Sequence, residues 1–149
     1  MNLYTGWTTE ELWKQEQLNF TAHMAIMFRY LQMHGLSVDD FVRYTAEKVI
    51  PGWQRKGIKT VEDFMRSILF NVAANGGEVL ETNINDKEVT AKVSHLLNPE
   101  IMQILGSPPE MAERFWDKFI LIAEALGMGF TWERTEDHLY HIRVNISGS

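Results

Sequence analysis

Histidine is the side chain of this sequence best suited to acid–base or ligand chemistry near neutral pH, and five occur. His23 lies at helical spacing from Glu16, Asn19 and Tyr30, so the four are expected on one stripe of a helix. Such a histidine could be a pocket base or a haem ligand, or a boundary residue bonded to a neighbour. No second ligand occurs four residues away, so the spacing of a helical metal site is absent.

Three more of the histidines lie in parts of the chain with strand-like patterns. His95 ends a predicted strand on its apolar face, where it could bond a ligand or be an ordinary core or edge residue. His138 and His141 resemble a metal pair by spacing alone. His138 falls in a predicted turn, and His141 faces outward opposite Glu133 as an ordinary cross-strand pair. The pattern predicts no metal site.

Motifs of known catalytic chemistry are absent from the sequence. It has no Gly-rich phosphate loop, nucleophile elbow, zinc-binding helix motif or EF-hand loop. Ser37 and Ser107 are explained as helix caps, and no other serine stands out as a nucleophile. Trp53, beside Arg55 and Lys56, could close over an anionic ligand or anchor a loop. Catalytic residues and cofactor therefore stay unknown at this level.

Composition excludes several classes of protein. The 149 residues predict one domain, 1–149, and the absence of cysteine excludes disulfides, thiolate metal sites and cysteine nucleophiles. That absence fits a cytoplasmic protein. A net charge of -6 disfavours nucleic acids and anionic membranes as partners. No signal peptide and no run of about 20 apolar residues is visible, so no membrane span is expected.

Helical periodicity dominates the first half of the chain. Capping residues predict helices that begin at Thr8, Ser37 and Thr60. Glycines end the first and third, and Pro51-Gly52 is expected to stop the second. The first helix has more apolar positions than one stripe can bury, which predicts a homodimer formed through helices. The positions outside its main stripe are Leu12, Leu18, Ile26 and Met33.

Alternating patterns predict two β-hairpins. The first covers 78–95 around Asn85-Asp86, with Ile84 opposite Lys87. The second covers 130–146 with a three-residue loop, because that loop places every apolar residue on one face. Trp132 then lies opposite Ile142. Between the hairpins, Asn98 caps a short helix and Ser107 a long one, 108–126. The pattern indicates an α+β fold: N-terminal helices, an antiparallel sheet from both hairpins, and the long helix packed on the sheet.

The C-terminal third resembles a known superfamily. A helix ending in Ala125-Leu126-Gly127-Met128-Gly129 precedes an aromatic strand, an acidic turn and a last strand, Leu139–Val144. This outline is similar to vinyl-reductase-like domains, Golgi transport-particle subunits and haem nitric-oxide-binding domains. Aminothiazoline-carboxylate hydrolase-like proteins of bacteria share it. The resemblance implies a fold and covers roughly the second half of the chain. The cysteines usual near this hairpin in vinyl-reductase-like domains are missing, so no metal or thiol role is implied.

Two classes of function stay open. The first is a small-molecule-binding or sensing domain whose apolar pocket, between helices and sheet, holds a small apolar or amphipathic ligand. The second is a small hydrolase-like enzyme that uses a pocket histidine, His23 or His95, with a carboxylate. A fully packed core without a cavity is the competing expectation. The predicted pocket residues are Phe20, His23, Met24 and Met27, with His95 at the sheet end or Trp132 above.

Overall fold

Three capped helices begin the chain. In the computed structural model, which describes residues 6–147, the N–H of Glu11 donates to the hydroxyl of Thr8 at 3.1 Å, and the Glu11 carboxylate accepts from the Thr8 N–H at 2.7 Å. The predicted caps Ser37 and Thr60 act in the same way at the next two helices. None of the helices described is both long and apolar enough to cross a bilayer. The helices are α1 (Thr9–Met33), α2 (Val38–Arg55) and α3 (Val61–Ala74).

The second helix runs past the predicted stop. Ending it at Pro51 was wrong, because α2 contains Pro51 and continues to Arg55. The extra turn carries Trp53 into the core, where its ring meets Phe64 at 5.5 Å and Phe119 at 5.9 Å between centroids. Burial of so large a side chain offsets the helical hydrogen bond that proline cannot donate. Trp53 therefore anchors a helix end and not a loop.

Both hairpins join one antiparallel sheet, as the alternation predicts. Its strand order is β1-β2-β4-β3. α3 packs against β2 and β4, while a later helix, α6 (Lys118–Ala125), packs against β3. One face of the sheet is thus covered by helices, and the fold is α+β. The strands are β1 (Val79–Ile84), β2 (Glu88–Val93), β3 (Met128–Glu136) and β4 (Leu139–Ile146).

The register of the second hairpin is confirmed. Trp132 lies opposite Ile142, and Glu133 lies opposite His141. The predicted three-residue loop was wrong, because Glu136 pairs with Leu139 and the turn has only two residues, while an irregularity between Arg134 and Glu136 places the extra residue within β3. His138 takes a left-handed backbone with φ 61°, the conformation that such a bulged turn requires of one residue.

The register of the first hairpin was wrong by two residues. Ile84 pairs with Val89, because the Asn85 side chain accepts the N–H groups of Lys87 and Glu88 and closes a tight turn. A shift of two preserves the faces of the strands, so β2 still buries alternate residues. β1 does not. Ile84 is 61% exposed, since β1 lies at the edge of the sheet beyond the helical cover.

The predicted long helix 108–126 is divided into three parts. A 3-10 turn over Arg114–Asp117 separates α5 (Pro109–Glu113) from α6. Ser107 does not cap it, so that prediction was wrong. The Ser107 N–H instead donates to the Met102 carbonyl at 2.9 Å and closes the preceding helix, α4 (Pro99–Ile104). Asn98 caps α4 as expected.

Trp116 in this 3-10 turn is the centre of the core. Its ring lies 5.6 to 6.4 Å, between centroids, from the rings of Phe119, Phe130 and Tyr140. At the rim of this cluster Glu113, whose side chain is only 12% exposed, accepts from the Tyr140 hydroxyl at 3.2 Å and pairs with Arg134 at 3.1 Å. These two contacts connect the end of α5 to both strands of the second hairpin, β3 and β4.

We expect Glu113→Ala to lower the free energy of unfolding by about 1–3 kcal/mol, because it leaves the Tyr140 hydroxyl without its partner. Urea unfolding measures the change. Glu62→Ala is the matched control, since that carboxylate also pairs with an arginine but is exposed. It should change stability by less than about 1 kcal/mol. Equal losses in the two variants would contradict a structural role for the Glu113 link.

Candidate functional site

The four predicted pocket residues of α1 do not face one space. Met24 is buried and Phe20 half-buried, whereas His23 and Met27 are exposed on the outer side of the helix. The ring of Phe28 fills the interior at this level by packing edge-on against neighbouring rings. The shared apolar lining predicted for these residues is therefore not formed within the described chain.

Trp132 links two elements. Its indole N–H donates to the Asp117 carboxylate at 2.8 Å, and its ring lies 6.1 Å from that of Tyr140. These contacts join β3 to the 3-10 turn before α6. Trp132 is accordingly held by the fold and does not lie beside the α1 residues with which it was grouped.

His95, at one end of the sheet, lies near a concave region of the surface. Burial lowers the pKa of His95, as does the nearby imidazole of His138, while the Glu78 carboxylate acts in the opposite direction. The backbone at His95 packs closely against Gly77, because a Cβ at position 77 would overlap with the His95 carbonyl oxygen and the Val72 side chain. Two histidines from different hairpins are thus brought to one end of the sheet.

The concavity beside them, which we name the α4 cleft, has a volume of about 580 Å³. It lies between α4, the segment that follows it, and the β3–β4 turn. Its walls offer an imidazole, a carboxylate and an amide, together with two proline rings, and the Ser107 that also lines it is buried. A pocket with few polar groups on an apolar frame is the usual form of a small-molecule site. The lining residues are Pro99, Glu100, Gln103, Gly106, Ser107, Pro108 and His138.

The α4 cleft lacks the geometry of a nucleophilic enzyme. The buried Ser107 hydroxyl has the Met111 sulfur as its partner at 3.9 Å, and no hydrogen bond joins it to His138. An activated serine needs a base within about 3.2 Å. Across residues 6–147, no group of three or more histidine, aspartate or glutamate side chains is placed to hold a metal ion.

A second concave region lies between α2 and the α5–α6 segment. Arg114 donates to Asp39 through Nε at 3.0 Å and through a terminal nitrogen at 2.7 Å, and it divides the region into hollows of about 260 and 310 Å³. The Asp39 and Arg114 charges are thus paired with each other, and further charged side chains also line the two hollows. On the outer face of the sheet, His141 lies 3.7 Å from Glu133, the predicted cross-strand pair.

Sequence reasoning missed Lys118. Its ammonium lies 4.0 Å from the ring centroid of Phe115 and 4.9 Å from that of Phe119, and no carboxylate of residues 6–147 forms an ion pair with it. Burial lowers the pKa of this amine to about 8. The available signal was spacing, because Lys118 falls three residues after Phe115 and four before Ile122 on the inward stripe.

Comparison of the sequence with protein-family models and with curated proteins finds no match. The function is therefore inferred from the surfaces and cavities of the molecule.

Lys118→Met should raise the free energy of unfolding by about 1–3 kcal/mol near neutral pH. This gain is smaller than the free energy that corresponds to the full pKa shift, because part of the side chain stays at the surface. The folded chain holds this proton more weakly than the unfolded chain. The destabilisation by the charged Lys118 is thus complete below about pH 8, and it fades as the pH approaches 10.5, the ordinary pKa of lysine. Urea unfolding of both proteins at several pH values measures it.

Lys56→Met is the control for that experiment, since Lys56 is exposed and lies 4.1 Å from the Trp53 ring. Its stability should change by no more than about 1 kcal/mol at any pH. A gain for Lys118→Met that persisted undiminished above about pH 10 would rule out burial of charge as the cause.

Proposed function

We propose that this protein is a small-molecule-binding or sensing domain and that the α4 cleft is its ligand site. The observation that carries the proposal is the meeting of His138, Glu100 and Gln103 around one concavity of about 580 Å³. These side chains come from a strand turn and a helix. A site between helices and sheet was the expectation from sequence, but its walls are more polar than the predicted apolar pocket.

The walls favour an amphipathic ligand. Pro99 and Pro108 supply apolar surface, while the polar side chains supply both hydrogen-bond donors and acceptors. A ligand with a short hydrocarbon part and one charged or strongly polar group would satisfy both. The resemblance of the C-terminal third to the vinyl-reductase-like and haem nitric-oxide-binding superfamily is part of this proposal and implies the fold alone. The cysteine-free sequence supports a cytoplasmic location.

A hydrolase-like enzyme is the second candidate. It is favoured by one observation: a histidine, His138, and a carboxylate, Glu100, line the same cleft. The pair could activate a water molecule, with the imidazole as general base. The binding role is preferred because the cleft has no nucleophile paired with a base.

Association of two copies through α1 is the other part of the proposal. Ile26 is 55% and Met33 is 69% exposed, and Leu12 and Leu18 are exposed as well. The opposite side of α1 is buried in its own core, through Met24 and Phe28. A helix that is apolar on two sides needs two partners, and the second side is available for another copy of the chain.

For the ligand site, we expect an ¹H–¹⁵N NMR titration with hexanoate and hexylamine, amphipathic probes of opposite charge, to shift the amide signals of Gln103, Ser107 and His138. His138→Ala should weaken the shifts by removing one polar anchor. His141→Ala is the control, because this histidine is on the outer face. Shifts confined to the groove beside Asp39 and Arg114 would overturn the assignment. Hydrolysis of a simple ester that His138→Ala abolishes would favour the enzyme.

For association, light scattering should give twice the mass of one chain at tens of micromolar. Ile26→Glu should reduce it to one chain, because it buries two charges at the contact. Phe70→Glu is the matched control on α3, where Phe70 is 73% exposed and should tolerate the charge. A monomer mass for the unaltered protein would end the homodimer proposal.

A further inference from the structure

A further concave region lies at the opposite end of the sheet from the α4 cleft. α3 runs back over the sheet, because the short link through Gly76-Gly77 connects its last turn to the start of β1. The 14 residues of α3 extend over about 21 Å, and the six residues of β1 extend over about 20 Å. The start of α3 is therefore level with Asn85-Asp86, the turn that follows β1.

This region, which we name the α3 hollow, has a volume of about 360 Å³. The Lys59 ammonium and the Asp86 carboxylate both line it, and in the described part of the chain neither forms an ion pair. Lys59 contacts Asp63 through its backbone N–H alone, and the side chain that closes the turn is that of Asn85. Both charged groups are thus available to a ligand. The apolar side chains of the hollow are Val61, Leu126, Met128 and Ile146.

The topology separates the charges from most of the apolar wall. The strand order β1-β2-β4-β3 places Asp86, in the β1–β2 turn, toward one edge of the sheet and Met128, at the start of β3, toward the other. Ile146 lies between them, because it pairs with Met128 and its N–H donates to the Lys87 carbonyl at 3.2 Å. α3 covers β2 and β4, so Lys59 approaches from the helical layer. A ligand can therefore present charged groups between α3 and the turn and its hydrocarbon to Met128.

We infer that the α3 hollow binds an aliphatic α-amino acid, at a site separate from the α4 cleft of the proposed function. The carboxylate of the ligand meets the Lys59 ammonium, its ammonium meets the Asp86 carboxylate, and its side chain covers Met128 and Ile146. Lysine only donates hydrogen bonds and an ionised carboxylate only accepts them, so each charged group of the ligand has one suitable partner. Charge-assisted hydrogen bonds of this kind are stronger than neutral ones.

Opposite charges at one hollow select a zwitterion over an amphiphile with a single charge. A fatty acid would pair with Lys59 and bring a second carboxylate beside Asp86, and an alkylamine would bring a second ammonium beside Lys59. An amino acid pairs with both groups at once. Met128 is 7% and Ile146 is 49% exposed, so the apolar wall extends from the core to the surface and offers contact to a side chain of a few carbon atoms.

An ¹H–¹⁵N NMR titration with L-leucine tests the inference. The amide signals of Asp86, Gly127 and Met128 should shift and saturate at roughly millimolar concentration, because exposed ion pairs contribute little to affinity. Glycine has the same two charges without a side chain, and it should bind at least about tenfold more weakly. Shifts at Gln103 and His138 instead, or no saturable shift up to about 10 mM L-leucine, would overturn the site.

Two variants that each remove one charge separate the roles of Lys59 and Asp86. Lys59→Met should weaken L-leucine and isocaproate, which lacks the ammonium, about two- to fivefold, whereas isoamylamine, which lacks the carboxylate, should lose no affinity. Asp86→Asn should weaken L-leucine and isoamylamine by a similar factor and leave isocaproate without a loss. An equal loss for all three ligands in either variant would contradict the assignment of the charges.

Lys56→Met is the matched control for Lys59→Met, because Lys56 is exposed and lies at the Trp53 ring. Asp137→Asn is the control for Asp86→Asn, because Asp137 is exposed in the turn of the other hairpin. Both controls should bind L-leucine as the unaltered protein does, and a loss as large as that of the matched variant would overturn the inference. In Lys59→Met and Asp86→Asn, unchanged shifts with hexanoate and hexylamine at the α4 cleft distinguish failure of one site from failure of the other.

Discussion

Burial of the apolar face of β2 and β4, the two central strands, is the constraint on which the rest of the structure depends. Val89, Ala91 and Val93 of β2 point into the core, and Ile142 and Val144 of β4 continue the same surface. A four-stranded sheet with one such face is stable only when other elements cover it. α3 lies over the central strands and α6 lies over β3, so the two helices and the sheet define a single interior.

The way in which this interior is filled determines where a ligand can bind. Large aromatic rings around Trp116 and Phe28 pack in the interior, where the pocket between α1 and the sheet was expected. The polar groups lie at the rim, where Glu113 and Asp117 bond to residues of the second hairpin. The α4 cleft lies outside this interior, beside the β3–β4 turn.

The α4 cleft and the surface proposed for association are close to each other through α1. The buried Thr21 hydroxyl accepts the N–H of Asn98 at 3.4 Å, and Asn98 caps α4, the helix that forms one wall of the cleft. The exposed side of α1 that carries Ile26 and Met33 lies on the opposite side of the same helix. A second copy bound to that exposed side would thus be separated from the cleft wall by the thickness of one helix, about 10 Å.

The sequence by itself determined the features that depend on neighbouring residues. Caps at Thr8, Ser37, Thr60 and Asn98 follow from local hydrogen bonding, and the register of the second hairpin follows from placing all apolar residues on one face. The first hairpin shows the limit of that reasoning, because the preference of the Asn85 side chain moved the turn without changing the faces. Only the tertiary structure decided the rest. Trp53 extends α2 through Pro51 because distant rings receive it, and Lys118 lies on the inward stripe because the 3-10 turn and α6 place Phe115 and Phe119 in the core on either side of it. The periodicity of α1 identified apolar stripes but could not tell which would face the core. That choice depends on which stripe meets α4 and the aromatic interior, and it left His23 and Met27 facing solvent.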